Sequence, residues 1–130
     1  MLTPDQFEVN EAWITIRVNE EFIFVKDDPY DIFVLMDAAS AYVFGFVLSS
    51  VVDESLDQEE VANLFRQAWG TKQEWAGTLI VSDEINAGNV FISEGEKNGL
   101  EIRRVPASSL NSIVGPLKES FLQRFLGQRE

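Results

Sequence analysis

Carboxylates are the abundant reactive groups of this chain. Of its 130 residues, 22 are Asp or Glu and 10 are Lys or Arg, and there is no histidine and no cysteine. Zinc fingers, disulfide frameworks and any catalytic relay built on imidazole or thiol are thereby excluded. The chemistry left to such a residue set is that of hard oxygen ligands. Gathered carboxylates could hold a divalent cation. Three acids stand out by their place in the chain: Asp37, which ends the apolar run Asp31 to Met36, Asp83, which follows the apolar run Thr78 to Val81, and Glu119 in the last amphipathic segment.

Each of these acids also has a plain role. In Asp37-Ala38-Ala39-Ser40 an Asp side chain can accept backbone amides two residues on and simply fix a turn. Asp83 can close a strand or cap the helix after it, although the rim beyond a strand's carboxyl end is where α/β sheets bind ligands. Glu119 on an amphipathic helix is expected to face water. Arg103 and Arg104, with Lys118, Arg124 and Arg129, form the one basic concentration. Neighbouring strand residues point to opposite faces, so the two arginines cannot join one patch. Trp75 sits outside any periodic element and is a candidate exposed anchor for a partner.

The net charge of -12 is unevenly placed. Residues 1–65 hold 14 acids and two bases (Arg17 and Lys26), whereas residues 66–130 hold eight of each. The first half is therefore either a solvated acidic face or a docking surface for a basic partner. This charge argues against a nucleic-acid partner, and leaves a protein partner or a homo-oligomer as the expectation. The start, Met1-Leu2-Thr3-Pro4-Asp5, lacks the basic and apolar regions of a secretory signal. The longest apolar stretch, about Ile32 to Leu48, is broken by Asp37, Ser40 and Gly45, too polar for a bilayer. A cytoplasmic setting with no membrane contact is expected.

The elements that must position these residues can be read from the hydrophobic period. The length suits a single domain over residues 1–130, with residues 1–11 as a loose arm or short helix. Strands are expected at Ala12 to Val18, Glu21 to Val25, Asp31 to Met36 and Ala41 to Ser49, with a turn at Asp27-Asp28-Pro29. Gly45 marks a bulge or a close approach in the fourth of these. Ser55 or Asp57 can cap a helix carrying Val61, Leu64, Phe65 and Ala68 on one face, with Gly70 as its stop. Then follow a strand at Thr78 to Val81, a helix from about Ala87 to Asn98 capped by Gly99, and a strand at Leu100 to Val105. The last helix opens at Ser108 or Ser109, with Leu110, Ile113, Val114, Leu117, Phe121 and Phe125 as its stripe, and is expected to kink or restart at Gly115-Pro116. The fold class is therefore α/β with an α+β-type mixed sheet: an antiparallel strand meander followed by β-strands alternating with helices.

This series resembles the ribonuclease-H-like fold, and within it the catalytic core of retroviral-type integrases and transposases. The likeness is carried by Trp13 in the first strand, Ile32 to Ser40 ending in an acidic turn, and Tyr42 to Leu48 with its glycine. It continues through the helix Glu59 to Trp69, Leu79-Ile80-Val81-Ser82-Asp83, Phe91 to Ile102, and a final helix with Ser109, Asn111 and Glu119. The resemblance implies three carboxylates around two divalent ions. Its second Asp falls on Asp83 and its Glu on Glu119, but its first Asp, three residues after the tryptophan, falls on Ile16. Isoleucine cannot bind a metal, and Thr15 beside it is a poor substitute. The metal sites would be Asp83 and Glu119 alone, without the ligand that bridges both ions.

Three functions are consistent with these residues. The first is a non-catalytic, pseudo-enzyme member of the fold that acts as a protein-interaction or accessory module, with no cofactor. The second is a nuclease or strand-transfer enzyme dependent on Mg²⁺ or Mn²⁺ with catalytic Asp37, Asp83 and Glu119, or with Asp37, Asp83 and either Glu59 or Glu60. It requires these acids to converge. The third is an acidic inhibitor or immunity-type protein, whose binding to a basic partner would weaken with salt.

Overall fold

The computed structural model describes residues 2–18, 23–25, 28–50, 57–83 and 88–128. Among these residues one mixed sheet holds β1 (Ala12–Arg17), β2 (Ile23–Val25), β3 (Asp28–Asp37), β4 (Val43–Ser50), β5 (Thr78–Ser82) and β6 (Glu101–Val105). The α-helices are α1 (Gln58–Lys72), α2 (Gly88–Lys97) and α3 (Asn111–Gln128). Leu35 pairs with Thr15 and with Gly45, so β1 and β4 lie on opposite sides of β3. Tyr30 pairs with Ile23 and with Ser50, which puts β2 on the β1 side. The order across the sheet is β4, β3, β1, β5, β6. β3 runs antiparallel to both β4 and β1, while β5 runs parallel to β1 and β6 to β5. This is the expected meander followed by crossover helices.

The register decides which side chains meet which helix. Trp13, Thr15, Phe33, Leu35, Leu79 and Val81 share one face. On that face Phe65 of α1 meets Trp13 with ring centroids 6.3 Å apart, and Phe91 of α2 meets Phe33 at 6.0 Å. The opposite face holds Ile14, Ile16, Val34, Met36 and Ile80, all nearly inaccessible. Leu110, Ile113 and Val114, in the 3₁₀ turn Ala107–Leu110 and the start of α3, are also buried in the core. Both faces of the central strands are dry, which is why Ile32 to Met36 reads as an unbroken apolar run.

Local chemistry fixes the element ends. The Asp57 side chain accepts the Glu59 and Glu60 amides at 2.9 and 3.4 Å and caps α1. Gly99, at φ +85, ends the α2 turn in the left-handed region. Gly45 is a close approach, as its type suggested: a Cβ there would lie 2.7 Å from Leu64 Cδ1. The strand pairing also slips beside it, between Leu35 and Met36.

Several expected boundaries differ. Residues 2–11 carry a short helix, the second of the two expected forms, though of the 3₁₀ kind. They form a 3₁₀ turn at Pro4–Gln6, with Leu2 N–H bonded to Ser109 O at 2.8 Å and with Leu2 and Phe7 packed on the core. Asp28 and Pro29 belong to β3 rather than to a turn. Proline is tolerated there because the first residues of a strand need not donate to the ladder. Helix α1 runs through Gly70 to Lys72, and Gln73 takes the left-handed cap position at φ 57. Helix α3 continues through Pro116 without restarting. The carbonyl that this ring would crowd belongs to Ser112, in the first turn, so the helix gives up little of its ladder. Trp75 is not an exposed anchor: it is partly buried against the core, 5.9 Å from the Trp13 ring. Glu21, Ser55, Ala87 and Arg129, and the side chains of Phe121, Arg124 and Phe125, lie outside the described residues.

Candidate functional site

Because β1 and β5 are parallel, their carboxyl ends share one rim of the sheet. Thr15 pairs with Val81, so one step further Ile16 comes level with Ser82, and Arg17 with Asp83. Ile16 is 2% exposed and sits across from Val34. Its aliphatic side chain is part of the core and offers no oxygen. Thr15 is wholly buried and its Oγ1 has no hydrogen-bond partner among the described residues, on the face covered by α1 and α2. Arg17 places a guanidinium at the same rim, 3.8 Å from the Asp31 carboxylate on β3. At this separation and with Arg17 43% exposed, the pair is a surface ion pair of about 0–1 kcal/mol. Asp83 is exposed, held by its own N–H donating to Val105 O at 3.0 Å. Glu119 is exposed on α3, as expected of a solvated helix face.

Asp37 lies at the other rim. It pairs with Trp13 at the amino end of β1, whose parallel partner is Leu79. Asp83 lies four residues beyond Leu79, a displacement of about 13 Å along the strands at the usual rise per residue. No single metal centre joins the two. Asp37 is instead wholly buried and saturated by its neighbours. Its Oδ1 accepts the Asn10 amide at 2.7 Å, and its Oδ2 accepts the Ser40 amide at 2.9 Å and the Ser40 hydroxyl at 2.8 Å. Its carbonyl accepts the Ala41 amide at 3.0 Å, closing the turn into β4. Ala41 holds φ 61 there.

Asn10 was not visible as a functional position in the sequence, yet it links three segments. Its amide reaches Asp37, its Oδ1 accepts the Trp13 indole N–H at 2.8 Å, and its Nδ2 donates to Glu74 O at 3.3 Å. An Asn before a strand carries no signal for a partner 27 residues away. Glu59 and Glu60 lie exposed in the first turn of α1. Arg103 and Arg104 are both exposed on β6, level with Ile80 and Val81 and therefore on opposite faces.

Among the described residues, no three carboxylates gather where they could share a cation. The central strand presents an aliphatic residue and then a cation where oxygen ligands would be needed. This donor set does not fit a pair of divalent ions.

The sequence matches no protein-family model and none of the curated proteins. Solved structures do resemble it. A chain in the cryo-electron microscopy structure of the simian T-cell lymphotropic virus intasome, in complex with PP2A regulatory subunit B56 gamma, aligns with a TM-score of 0.57 at 14% identity, over 100% of this chain and 45% of that one. The catalytic core domain of HTLV-2 integrase, in its trimeric form with magnesium, aligns with a TM-score of 0.50 at 14% identity, over 91% and 73%. The chain thus spans less than half the length of the first of these relatives. The shared feature is the ribonuclease-H-like fold of integrase catalytic cores.

Proposed function

We propose that this domain works without metal-dependent chemistry, as a protein-interaction or accessory module built on a ribonuclease-H-like sheet. One observation carries the reading: the first-strand position at which the resemblance implies a metal-binding Asp holds Ile16, 2% exposed and part of the core. An aliphatic side chain cannot bridge two ions, and a buried carboxylate could not be accommodated there without a partner. The intact core around that position, from Ile14 to Val34, supports retention of the fold for its surface.

A protein partner or a homo-oligomer fits the acidic first half of the chain. The relatives are compatible with such use, since one structure is of a trimeric form and the other of an assembly with a regulatory subunit. No helix among the described residues is long and apolar enough to cross a membrane. A cytoplasmic setting remains part of the proposal.

Metal titration tests the reading. Calorimetry with Mg²⁺ or Mn²⁺ is expected to give no stoichiometric site. A saturable site abolished by Asp83→Ala would favour the competing enzyme, for which exposed Asp83 at the β1–β5 rim is the best remaining ligand.

A further inference from the structure

The rim at which β1 and β5 begin is built from three segments drawn into one surface. Asn10 ties them together: its amide donates to Asp37 Oδ1 at 2.7 Å and its Nδ2 to Glu74 O at 3.3 Å. Ala38 N–H donates to Ala12 O at 3.0 Å, and Gly77 N–H to Glu11 O at 3.1 Å. Residues 2–11, 37–42 and 73–77 therefore meet. Each segment holds one non-glycine residue in the left-handed region: Asn10 at φ 66, Ala41 at φ 61 and Gln73 at φ 57. Backbone held in that region marks a surface fixed by its surroundings before anything binds to it. Two side chains project apolar surface from this rim. Val9 is 57% exposed and Tyr42 is 52% exposed. Tyr42 is braced from behind. Its ring lies 5.5 Å from Phe44, which lies 5.2 Å from buried Trp13, itself 5.9 Å from Trp75. The same three segments carry exposed Asp5, Glu8, Glu11 and Glu74, and no Lys or Arg.

We infer that this rim docks an arginine-bearing basic segment of another protein, with Tyr42 and Val9 as its anchors. The inference rests on the reading of the domain as an interaction module. A braced aromatic ring needs little further ordering when a partner covers it, which suits it to carry binding energy. The face of the ring attracts a cation. A guanidinium stacks flat on such a ring while its fork of N–H groups reaches a carboxylate. Glu74, Glu8 and Glu11 supply carboxylates around the rim. Glu11 Oε1 accepts the Glu8 amide at 3.0 Å, so these two acids stand together. Val9 offers apolar contact to the aliphatic stem of an arginine or to a neighbouring apolar residue of the segment. Charge selects against a second copy, which would bring one acidic half against another.

The test is fluorescence anisotropy with a labelled synthetic peptide of Arg, Ala and Leu. It is run at physiological ionic strength, where exposed charges further apart than about 8 Å are screened. The peptide is expected to bind the wild-type chain. Tyr42→Ala and Glu74→Lys, both at exposed positions, should each weaken binding roughly tenfold, the size of effect an aromatic anchor or a close charge pair supports. Glu59→Lys makes the same change of charge at the other end of α1, roughly 20 Å away by helix rise, and should leave binding unchanged. A peptide with Lys for every Arg should bind several-fold more weakly, because an ammonium is a point charge without the planar fork. Circular dichroism should confirm an unchanged fold in each variant. Failure of the Arg peptide to bind, or binding indifferent to Tyr42→Ala or to Glu74→Lys, would overturn the inference. Equal loss in Glu59→Lys and Glu74→Lys, or equal binding of the Lys peptide, would do the same. So would a dimer in sedimentation that Tyr42→Ala dissociates, because a second copy would then fill the rim. Metal titration reads the module proposal separately: a chain that binds neither metal nor peptide keeps the module reading and loses this docking rim.

Discussion

Asp37 and Asp83 stand at opposite rims of one sheet, because β3 runs antiparallel to β1 and β5 runs parallel to it. Both acids end a strand, yet the reversal of β3 sends them apart. The strand end that closes the β3–β4 hairpin became a structural knot, and the other became an exposed rim. Carboxylate abundance, the most visible property of the chain, therefore does not translate into a carboxylate cluster among the described residues.

The knot at Asp37 predicts a large stability effect. Asp37→Ala removes the acceptor of the Asn10 and Ser40 amides and of the Ser40 hydroxyl in a position with no solvent access. The expected loss is about 3 kcal/mol, in the range for a buried hydrogen-bond network with orphaned donors. Asp37→Asn should recover part of it, since one oxygen remains to accept while the amide group opposes another donor. Urea unfolding measures both.

Thr15 should behave in the opposite sense. Its buried hydroxyl has no partner among the described residues, and Thr15→Val is nearly isosteric. Removing the stranded polar atom is expected to raise stability by about 1 kcal/mol. At this chain length that corresponds to a melting temperature higher by roughly 3–5 °C. Calorimetry reporting a lower midpoint would show that the hydroxyl is satisfied in solution.

Gly45 on β4 and Gly95 on α2 lie where helix and sheet meet. A Cβ on Gly95 would meet Leu79 Cδ2 at 2.9 Å and Ile102 Cδ1 at 3.1 Å, and one on Gly45 would meet Leu64 Cδ1 at 2.7 Å. In each case the far end of a side chain can give way. Gly45→Ala and Gly95→Ala should therefore cost only about 1 kcal/mol, and Gly45→Val about 2–3 kcal/mol as overpacking grows. Thermal unfolding of the series should reproduce that order.

Restoring the missing acid should fail. Ile16→Asp puts a carboxylate at a position 2% exposed, next to Val34. The substitution is expected to destabilise the chain by about 3 kcal/mol or more and to confer no Mg²⁺-dependent cleavage. Unfolding curves and an oligonucleotide assay check the two halves of this expectation.

Much of the architecture was legible because period and composition change where the elements change. The run Ile32 to Met36 could only be a strand covered on both faces, and Val61, Leu64, Phe65 and Ala68 could only be one helical stripe. The strand meander and the alternation after it followed from that order. Ends were harder. Gly70 was a reasonable stop for α1, but a helix can pass through a surface glycine at about 1 kcal/mol, and Gln73 accepted the left-handed cap instead. Pro116 was a reasonable break for α3, but it falls only one turn into the helix. At the site, the replacement at Ile16 could be read directly from its spacing to Trp13. The fate of Asp37 could not, because its partners Asn10 and Ser40 lie 27 and three residues away and only the fold brings the first of them near. The exposure of Phe46 and Leu48 on β4 was also hidden, since they read like residues of a buried strand.

The most direct measurement of the central claim is cleavage and strand transfer on labelled single- and double-stranded DNA and RNA with Mg²⁺ or Mn²⁺, for wild type, Asp83→Ala and Glu119→Ala. The expected result is no metal-dependent product from any of the three. Metal-dependent product from the wild type that disappears in Asp83→Ala would contradict the account and make this domain an enzyme.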